Sequence, residues 1–322
     1  MRYMKAFRKG NSHRGFHQSF RSQSAMEYLM TYGWAILIIA VVLAALFELG
    51  VFNPMTFAPK ASPGSCQVVR PDGAGTTNLI SLSGECNGEL PQYVAQSMLG
   101  HEMAYIGNAP NVQSNSITMV AWIKVYGYPT NEGWQNILYK GGPTWAYGDV
   151  EYGMGLQMNS SSYPNPNTFE VWGCNANIDE FPYTAPFNEW VQVAGTIYPS
   201  PTNPTNSVTT AYIDGVPLPN SSSEERNNLP CSGNLPLYID EGSGSSFDGA
   251  IANVQIYNTS FSSNDIKVLY LEGIGGAPIK IQNLVGWWPL NGNANDYSGN
   301  GNNGVPTSVT YTSNWYSGYS TP

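Results

Sequence analysis

Few side chains in this sequence are placed to do nucleophilic or acid–base chemistry. Two of the three histidines, His13 and His17, lie in the first 22 residues, and only His101 follows them. A multi-histidine metal site needs more histidines than the body of the chain offers, and a Ser-His or Cys-His nucleophile pair would depend on His101 alone. The composition therefore nearly excludes these classes of site.

Paired carboxylates are the remaining source of catalysis, because glycosidases use two of them about 5 to 10 Å apart. The close acidic pairs include Asp149 with Glu151, Asp179 with Glu180, and Asp240 with Glu241. Only the first pair would share one face of a strand, since adjacent residues diverge. We therefore predict no catalytic residues and no enzyme activity, with glycoside hydrolysis as the weaker alternative.

Three aromatic residues lie where a sugar ring could stack. Trp134, Trp145 and Tyr147 fall in segments rich in Gly and Pro, where an aromatic ring has less core to enter. The alternative is that each ring is a lid over the protein's own core. We predict weak glycan binding at these three residues.

Cofactor and modification sites have weaker signals. The loop that begins at Asp296 is rich in oxygen ligands, so Ca²⁺ is left open as a cofactor, although the loop lacks the spaced carboxylates of an EF-hand. The sequence indicates no other cofactor. The N-x-S/T pattern predicts N-glycosylation at Asn159, Asn220 and Asn258.

Charge is divided unevenly along the chain. The first 22 residues hold six of the 13 cations and none of the 22 acidic residues. The rest is strongly acidic, repels phosphate backbones, and is therefore predicted not to bind nucleic acid. Only 11% of residues are charged, while 21 are Tyr and 34 are Gly, which favours an exported, β-rich protein.

An apolar run of twenty residues extends from Tyr28 to Phe47 without a charge. This is the length of a membrane-spanning helix, about 20 residues. Because the basic segment precedes the run, residues 1–27 are predicted to be cytoplasmic and the chain after Leu49 extracellular. We expect the helix to occupy residues 23–52 and a linker to occupy residues 53–65.

The segment before the apolar run resembles a class III signal peptide of archaeal type IV pilins. It reads Arg21-Ser22-Gln23-Ser24-Ala25-Met26-Glu27-Tyr28. The resemblance implies that a prepilin peptidase removes the leader, residues 1–22, between Ser22 and Gln23. Glu27 would then be the fifth mature residue and would pair with the free amine of a neighbouring Gln23 during assembly, because a carboxylate in an apolar environment needs a partner.

The same resemblance implies the partners and the location of the chain. It implies a homo-polymer built through the N-terminal helix, the pilus assembly machinery, and the membrane before assembly. The location would be the cell membrane first and an extracellular surface filament afterwards. A membrane-anchored lectin or glycoside hydrolase that does not polymerise is the alternative.

Short alternating segments after the linker predict a mainly β protein, a β-sandwich (jelly roll) head after the hydrophobic α-helix. Residues 117–125, 190–196 and 250–257 read as strands, and only residues 264–271 predict a short helix. Five segments resemble the laminin-G and concanavalin A-like lectin/glucanase family and occur in the order typical of that family. They are ITMVAWIKV, NILYKGG (a turn), EWVQVAGT, AYIDGVPL and FDGAIANVQIYNTSFSSNDIKVLY. This resemblance implies a sandwich over residues 91–275, with polysaccharide or glycoprotein as a partner. The E-x-D-x-E or E-x-D-x-x-E run that is typical of glucanases on this fold is absent.

The four cysteines follow the apolar run and are therefore predicted to be extracellular. An oxidising extracellular environment favours disulfides. Three pairings are possible, and we favour Cys66 with Cys86 and Cys174 with Cys231. The first would close a small strand module over residues 66–90.

Residues 276–322 contain VGWWPLNGNANDYSGNGNNG, which resembles a motif from the start of such domains. We expect this segment to close the sandwich, with a truncated second repeat as the alternative.

Overall fold

The computed structural model describes residues 30, 32–44, 90–97, 104–106, 112, 114–127, 133–142, 150–158, 167–174, 177–219, 227–231, 233–240, 247–320 and 322. The chain divides into two compact units, Met1–Ala58 and Pro59–Pro322. The predicted processing and assembly residues Ser22, Gln23 and Glu27 lie outside the described residues. So do Cys66 and Cys86, and nearly all of the module predicted for residues 66–90.

The described part of the first unit is a helix, α1, at residues 30 and 32–44. All of these residues are exposed, including large apolar side chains such as Trp34, Ile38 and Leu43. Among the described residues, no helix combines the length and the apolar character that crossing a membrane requires. The membrane-spanning helix predicted for residues 23–52 thus has no support within the described part of the chain.

The second unit is mainly β, with two antiparallel sheets packed as a sandwich, as the alternating segments predicted. The strands are β1 Val94–Ser97, β2 Ala104–Ile106, β3 Ile117–Val125, β4 Trp134–Gly141, β5 Val150–Gln157, β6 Thr168–Trp172, β7 Ile178–Pro182, β8 Trp190–Pro199, β9 Ser207–Ile213, β10 Val216–Pro217, β11 Leu237–Ile239, β12 Gly249–Tyr257, β13 Leu284–Trp288, β14 Val305–Pro306 and β15 Val309–Thr312. Sheet A has the strand order β10-β9-β8-β3-β12-β1-β15, and β13 also pairs with β12. Sheet B has the order β14-β2-β11-β4-β5-β6-β7.

The main core lies between the two sheets and follows from the period-2 alternation of apolar residues. In β3, Ile117, Met119, Ala121 and Ile123 point into this core, while the intervening residues point to the outer face of sheet A. Alternate residues of β5 and β6 fill the core from sheet B. Each sheet therefore has one inner face and one outer face.

The outer face of sheet A is covered by its own apolar clusters. The helix α2, Ser263–Leu271, begins with a capping box between Ser262 and Asp265 and places Ile266 and Leu269 against Val120 of β3. This helix starts one residue before the predicted start at residue 264. Trp122 and Trp190 are buried beside Trp315 on the same face.

The C-terminal segment contributes strands to both sheets. Strand β13 pairs with β12, β15 pairs with β1, and β14 pairs with β2 of sheet B. After β15, Trp315 packs on the outer face of sheet A and donates its indole N–H to the carbonyl of Pro91 at 3.0 Å. Residues 284–315 are therefore an integral part of the sandwich.

Candidate functional site

The outer face of sheet B carries four aromatic side chains at one level of the strand register. Tyr105 is opposite Tyr238, Tyr238 is opposite Tyr139, and Gly153 separates Tyr139 from Trp172. The ring centroids are 5.4 Å apart for Tyr105 and Tyr238, 6.2 Å for Tyr238 and Tyr139, and 6.4 Å for Tyr139 and Trp172. We call these four residues the aromatic row.

The row is continuous because β5 has glycines where it crosses. A Cβ atom on Gly153 would lie 2.5 Å from the indole ring of Trp172, and one on Gly155 would lie 3.2 Å from the same ring. Any larger residue at Gly153 would displace the indole, because real Cβ contacts are never this close. The Gly-Met-Gly sequence of β5 thus buries Met154 in the core and leaves room for Trp172 on the outer face.

The two ends of the row differ in exposure. Tyr105 is 37% exposed and Tyr238 is partly exposed, whereas Tyr139 and Trp172 are buried. A ligand can therefore reach the Tyr105 and Tyr238 end of the row. Rings on a rigid sheet offer apolar faces for stacking and phenolic hydroxyls for hydrogen bonds.

A pair of carboxylates lies at the next level of the register on the same face. Glu170 of β6 is opposite Glu180 of β7. Burial and the charge of Glu180 raise the pKa of Glu170 to about 7, against hydrogen bonds from Trp134 and Thr168 that lower it. Glu180 is exposed. A carboxyl group that holds its proton near neutral pH, beside an exposed carboxylate, has the chemistry of a proton donor.

A buried ion pair joins β4 and β5, two central strands of sheet B. Lys140 of β4 is 0% exposed, and its Nζ lies 2.6 Å from Oε2 of Glu151. The same ammonium donates to the carbonyls of Gly233 and Leu235 at 3.2 and 2.7 Å, while Oε1 of Glu151 accepts from the Leu235 N–H at 3.2 Å. Glu151 is thus committed to Lys140, and Asp149, its predicted partner, lies outside the described residues.

A disulfide joins Cys174 to Cys231, with their Cα atoms 5.2 Å apart. This is one of the two pairings favoured from the sequence. Asn228 adds a second link, because its Oδ1 accepts from the Gly173 N–H at 2.6 Å and its Nδ2 donates to Asp179 at 2.7 Å. The residues that precede β11 are thereby held against β5, β6 and β7.

Trp134 is a strand residue and not a loop residue. It is the first residue of β4, is half-buried, and interacts with Glu170, which lowers the pKa of that carboxyl group. The turn predicted for residues 136–142 is also wrong, since residues 136–141 continue β4 between β5 and β11. Trp145 and Tyr147 lie outside the described residues.

Asn258 and Asp296 are both described. Asn258 follows β12, is half-buried, and accepts from Nδ2 of Asn283 at 3.1 Å, whereas Asn159 and Asn220 lie outside the described residues. The carboxylate of Asp296 accepts backbone N–H groups of Trp287, Ser298 and Asn302 at 3.0, 2.8 and 2.9 Å. These bonds give Asp296 a structural role in its loop. In the part of the chain that is described, no three His, Cys, Asp or Glu side chains form a cluster that could hold a metal.

One protein-family model matches part of the second unit. The model of the concanavalin A-like lectin/glucanases superfamily matches residues 100–267. Comparison with curated proteins gave no match.

Several solved structures match this chain at low sequence identity. One, from Bacteroides ovatus, is assigned as a carbohydrate-binding protein; it is 16% identical, with 70% of this chain and 61% of that chain covered and a TM-score of 0.47. A heptameric SAP-like pentraxin from Limulus polyphemus is 12% identical, with coverages of 56% and 82% and a TM-score of 0.40. Domain 4 of an extracellular arabinanase from Geobacillus stearothermophilus, solved with arabinotriose, is 15% identical, with coverages of 50% and 70% and a TM-score of 0.37.

Proposed function

The chain belongs to the concanavalin A-like lectin/glucanases superfamily, and we propose that its second unit binds a polysaccharide through the outer face of sheet B without cleaving it. The observation that carries this proposal is the accessible pair of Tyr105 and Tyr238 at the end of the aromatic row. Tyrosine suits sugars because its ring packs on their C–H faces and its hydroxyl bonds to theirs.

The site is shallow, so one copy binds weakly. A flat pair of rings buries only part of a sugar unit and leaves few fully desolvated contacts. Linking many copies raises the overall avidity without adding a new contact. This property suits a surface structure that displays the sandwich repeatedly.

Replacing both Tyr105 and Tyr238 with alanine should weaken polysaccharide binding by about tenfold, because both stacking faces are lost. The measurement is a glycan array with the full-length chain, kept in a detergent without a sugar headgroup, followed by titration of the glycans that bind. Tyr316→Ala is the matched control, since Tyr316 is an exposed tyrosine near the C-terminus and outside the row. Equal binding by the double variant and the wild type would refute the site.

The pair Glu170 and Glu180 favours a second candidate function, hydrolysis of the bound glycan. A raised pKa at Glu170 and an exposed carboxylate at Glu180 are the two components that glycosidases need. A reducing-sugar assay on the glycans that bind separates the candidates. Sustained release of reducing ends that Glu170→Gln abolishes would place hydrolysis ahead of binding.

We also propose that the first unit makes the chain a type IV pilin-like subunit of an extracellular filament, structural and adhesive. The basic leader, the site between Ser22 and Gln23, and the apolar run after Glu27 support this proposal. The exposed apolar side chains of α1 are consistent with it, because packing against other helices would cover them. The partners are a prepilin peptidase, the assembly machinery and other copies of the chain, first in the membrane and then on the cell surface.

Native filament protein should begin at Gln23, as determined by N-terminal mass spectrometry. Glu27→Ala should reduce the yield of filaments in electron micrographs, because Glu27 is expected to pair with the amine of a neighbouring copy. Glu48→Ala is the control, since a carboxylate at the outer end of the apolar run is expected to be solvated. An intact Met1, a cut beyond Leu49, or a normal yield from Glu27→Ala would contradict the proposal.

A further inference from the structure

A recess lies on the outer face of sheet A, on the opposite side of the sandwich from the aromatic row. It is an open groove of about 700 Å³ between β8, β9 and residues 259–263, which lead into α2. Small-molecule pockets span about 300–1,000 Å³, so the groove has room for such a ligand.

The groove is lined by neutral groups, most of which are hydroxyls. None of the residues that line it is Asp, Glu, Lys, Arg or His. The rings of Tyr212 and Phe261 form apolar parts of the wall. The hydroxyls belong to Ser116, Thr196, Tyr198, Thr210, Ser260 and Ser263, among others.

Thr196 of β8 has an unusual hydroxyl in this lining. The residue is 1% exposed, and its Oγ1 has no hydrogen-bond partner among the described residues. Thr118, opposite Thr196 in the sheet, is fully used, because its hydroxyl donates to the Thr259 carbonyl at 2.6 Å and accepts from the Phe261 N–H at 3.0 Å. A buried hydroxyl without a partner is unfavourable, so a ligand that bonds to Thr196 removes a penalty as well as gaining a contact.

A helix N-terminus ordinarily attracts an anion, and α2 begins at this groove. The charges and hydrogen bonds at the start of α2 nevertheless disfavour an anion there. The capping box already uses the donors at the start of the helix, since Ser262 N–H donates to Asp265 at 2.9 Å and Asp265 N–H donates to Ser262 Oγ at 3.3 Å. Asp265 places a carboxylate in the first turn, and Lys280 pairs with it at 2.6 Å. A neutral ligand therefore fits the groove better than an anion.

We propose that this groove is a second carbohydrate site, which binds one neutral hexose or N-acetylhexosamine unit through the hydroxyl of Thr196. The unpartnered hydroxyl takes a sugar hydroxyl as its partner, and the aromatic walls contact the C–H groups of the ring. With the aromatic row on the other sheet, each sandwich has two separate sugar sites.

Two sources of this sugar unit are available. One is a separate glycan, and the other is an N-linked glycan on Asn258 of this chain. The sequon Asn258-Thr259-Ser260 borders the groove, because Thr259 and Ser260 are part of the lining. Both sources present the same neutral ring to Thr196.

The test uses the full-length, unglycosylated chain with D-glucose, D-galactose, D-mannose and N-acetyl-D-glucosamine as probes, followed by saturation-transfer NMR and titration. At least one probe should bind to the wild type, and Thr196→Val should weaken that binding by about fivefold through loss of one hydrogen bond. Thr196→Val should fold normally, because the hydroxyl has no partner to lose within the described part of the chain. Binding of none of the probes, or equal binding by Thr196→Val, would overturn the proposal.

Thr209→Val is the matched control for this test. Thr209 is also a buried threonine whose Oγ1 has no partner in the described part of the chain, but it alternates with Thr210 on β9 and does not line the groove. Its replacement should leave binding of the probe unchanged. The double variant of Tyr105 and Tyr238 should also retain it, so the two sugar sites are tested independently.

A second arm distinguishes the sources. If the chain isolated from the cells that make it binds the probe only after Asn258→Gln, its own glycan occupies the groove. If both forms bind the probe, the natural ligand is a separate glycan. If neither form binds, the site does not exist.

Discussion

Lys140→Met is expected to lower the free energy of unfolding by about 3 to 5 kcal/mol, because it leaves the buried carboxylate of Glu151 without its cation. Both side chains are buried, with relative exposures of 0% and 5%. The substitution also leaves the carbonyls of Gly233 and Leu235 without their donor. Urea unfolding followed by tryptophan fluorescence measures the loss.

A double-mutant cycle supplies the control. Glu151→Gln added to Lys140→Met removes the unpaired charge and keeps an acceptor for the Leu235 N–H. The double variant should therefore recover more than half of the stability that Lys140→Met loses. A loss below about 1 kcal/mol in the single variant would show that water screens this pair, as it screens surface ion pairs.

Trp315→Ala is expected to lower the free energy of unfolding by about 3 to 5 kcal/mol, the usual range for deleting a buried tryptophan side chain. Trp315 is 1% exposed and meets Trp190 edge to face at a centroid distance of 6.0 Å. Its carbonyl accepts from the indole of Trp190 at 2.9 Å, and its own indole donates to Pro91 at 3.0 Å. It therefore connects the C-terminal segment to β8 and to the residues before β1.

Tyr316→Ala is the matched control for Trp315→Ala. Tyr316 is the next aromatic residue along the chain and stacks on Trp315 at 4.3 Å, but it is 50% exposed. Its replacement should lower the free energy of unfolding by less than about 1 kcal/mol, as for most exposed positions. Similar losses in the two variants would mean that residues after β15 do not pack as described.

The strands and the short helix were predictable because their signals are local. Strand β3 occupies residues 117–125 as its alternation predicted, and α2 differs from its prediction by one residue. The family match over residues 100–267 agrees with the resemblance seen in the same segments. Strand β4 was misread because Gly141-Gly142 at its end is a turn signal, whereas the residues before it pair with both neighbours.

The aromatic row and the carboxylate pair were not predictable from the sequence alone. Tyr105, Tyr139 and Tyr238 are distant in the chain and meet only through the register of β2, β11 and β4. Glu170 and Glu180 meet because β6 and β7 form a hairpin whose register depends on pairing across the whole sheet. The alternating glycines of β5 were the one local sign that a large ring crosses that strand.

The position of β1 determines how the sandwich responds to mechanical tension. Strand β1 lies between β12 and β15, so it has a hydrogen-bonded ladder on each side. If tension is applied along β1 through the residues that precede it, both ladders would be loaded in shear, because ladder hydrogen bonds run perpendicular to the strands. Strand β15 would then share the resistance to that load with β12.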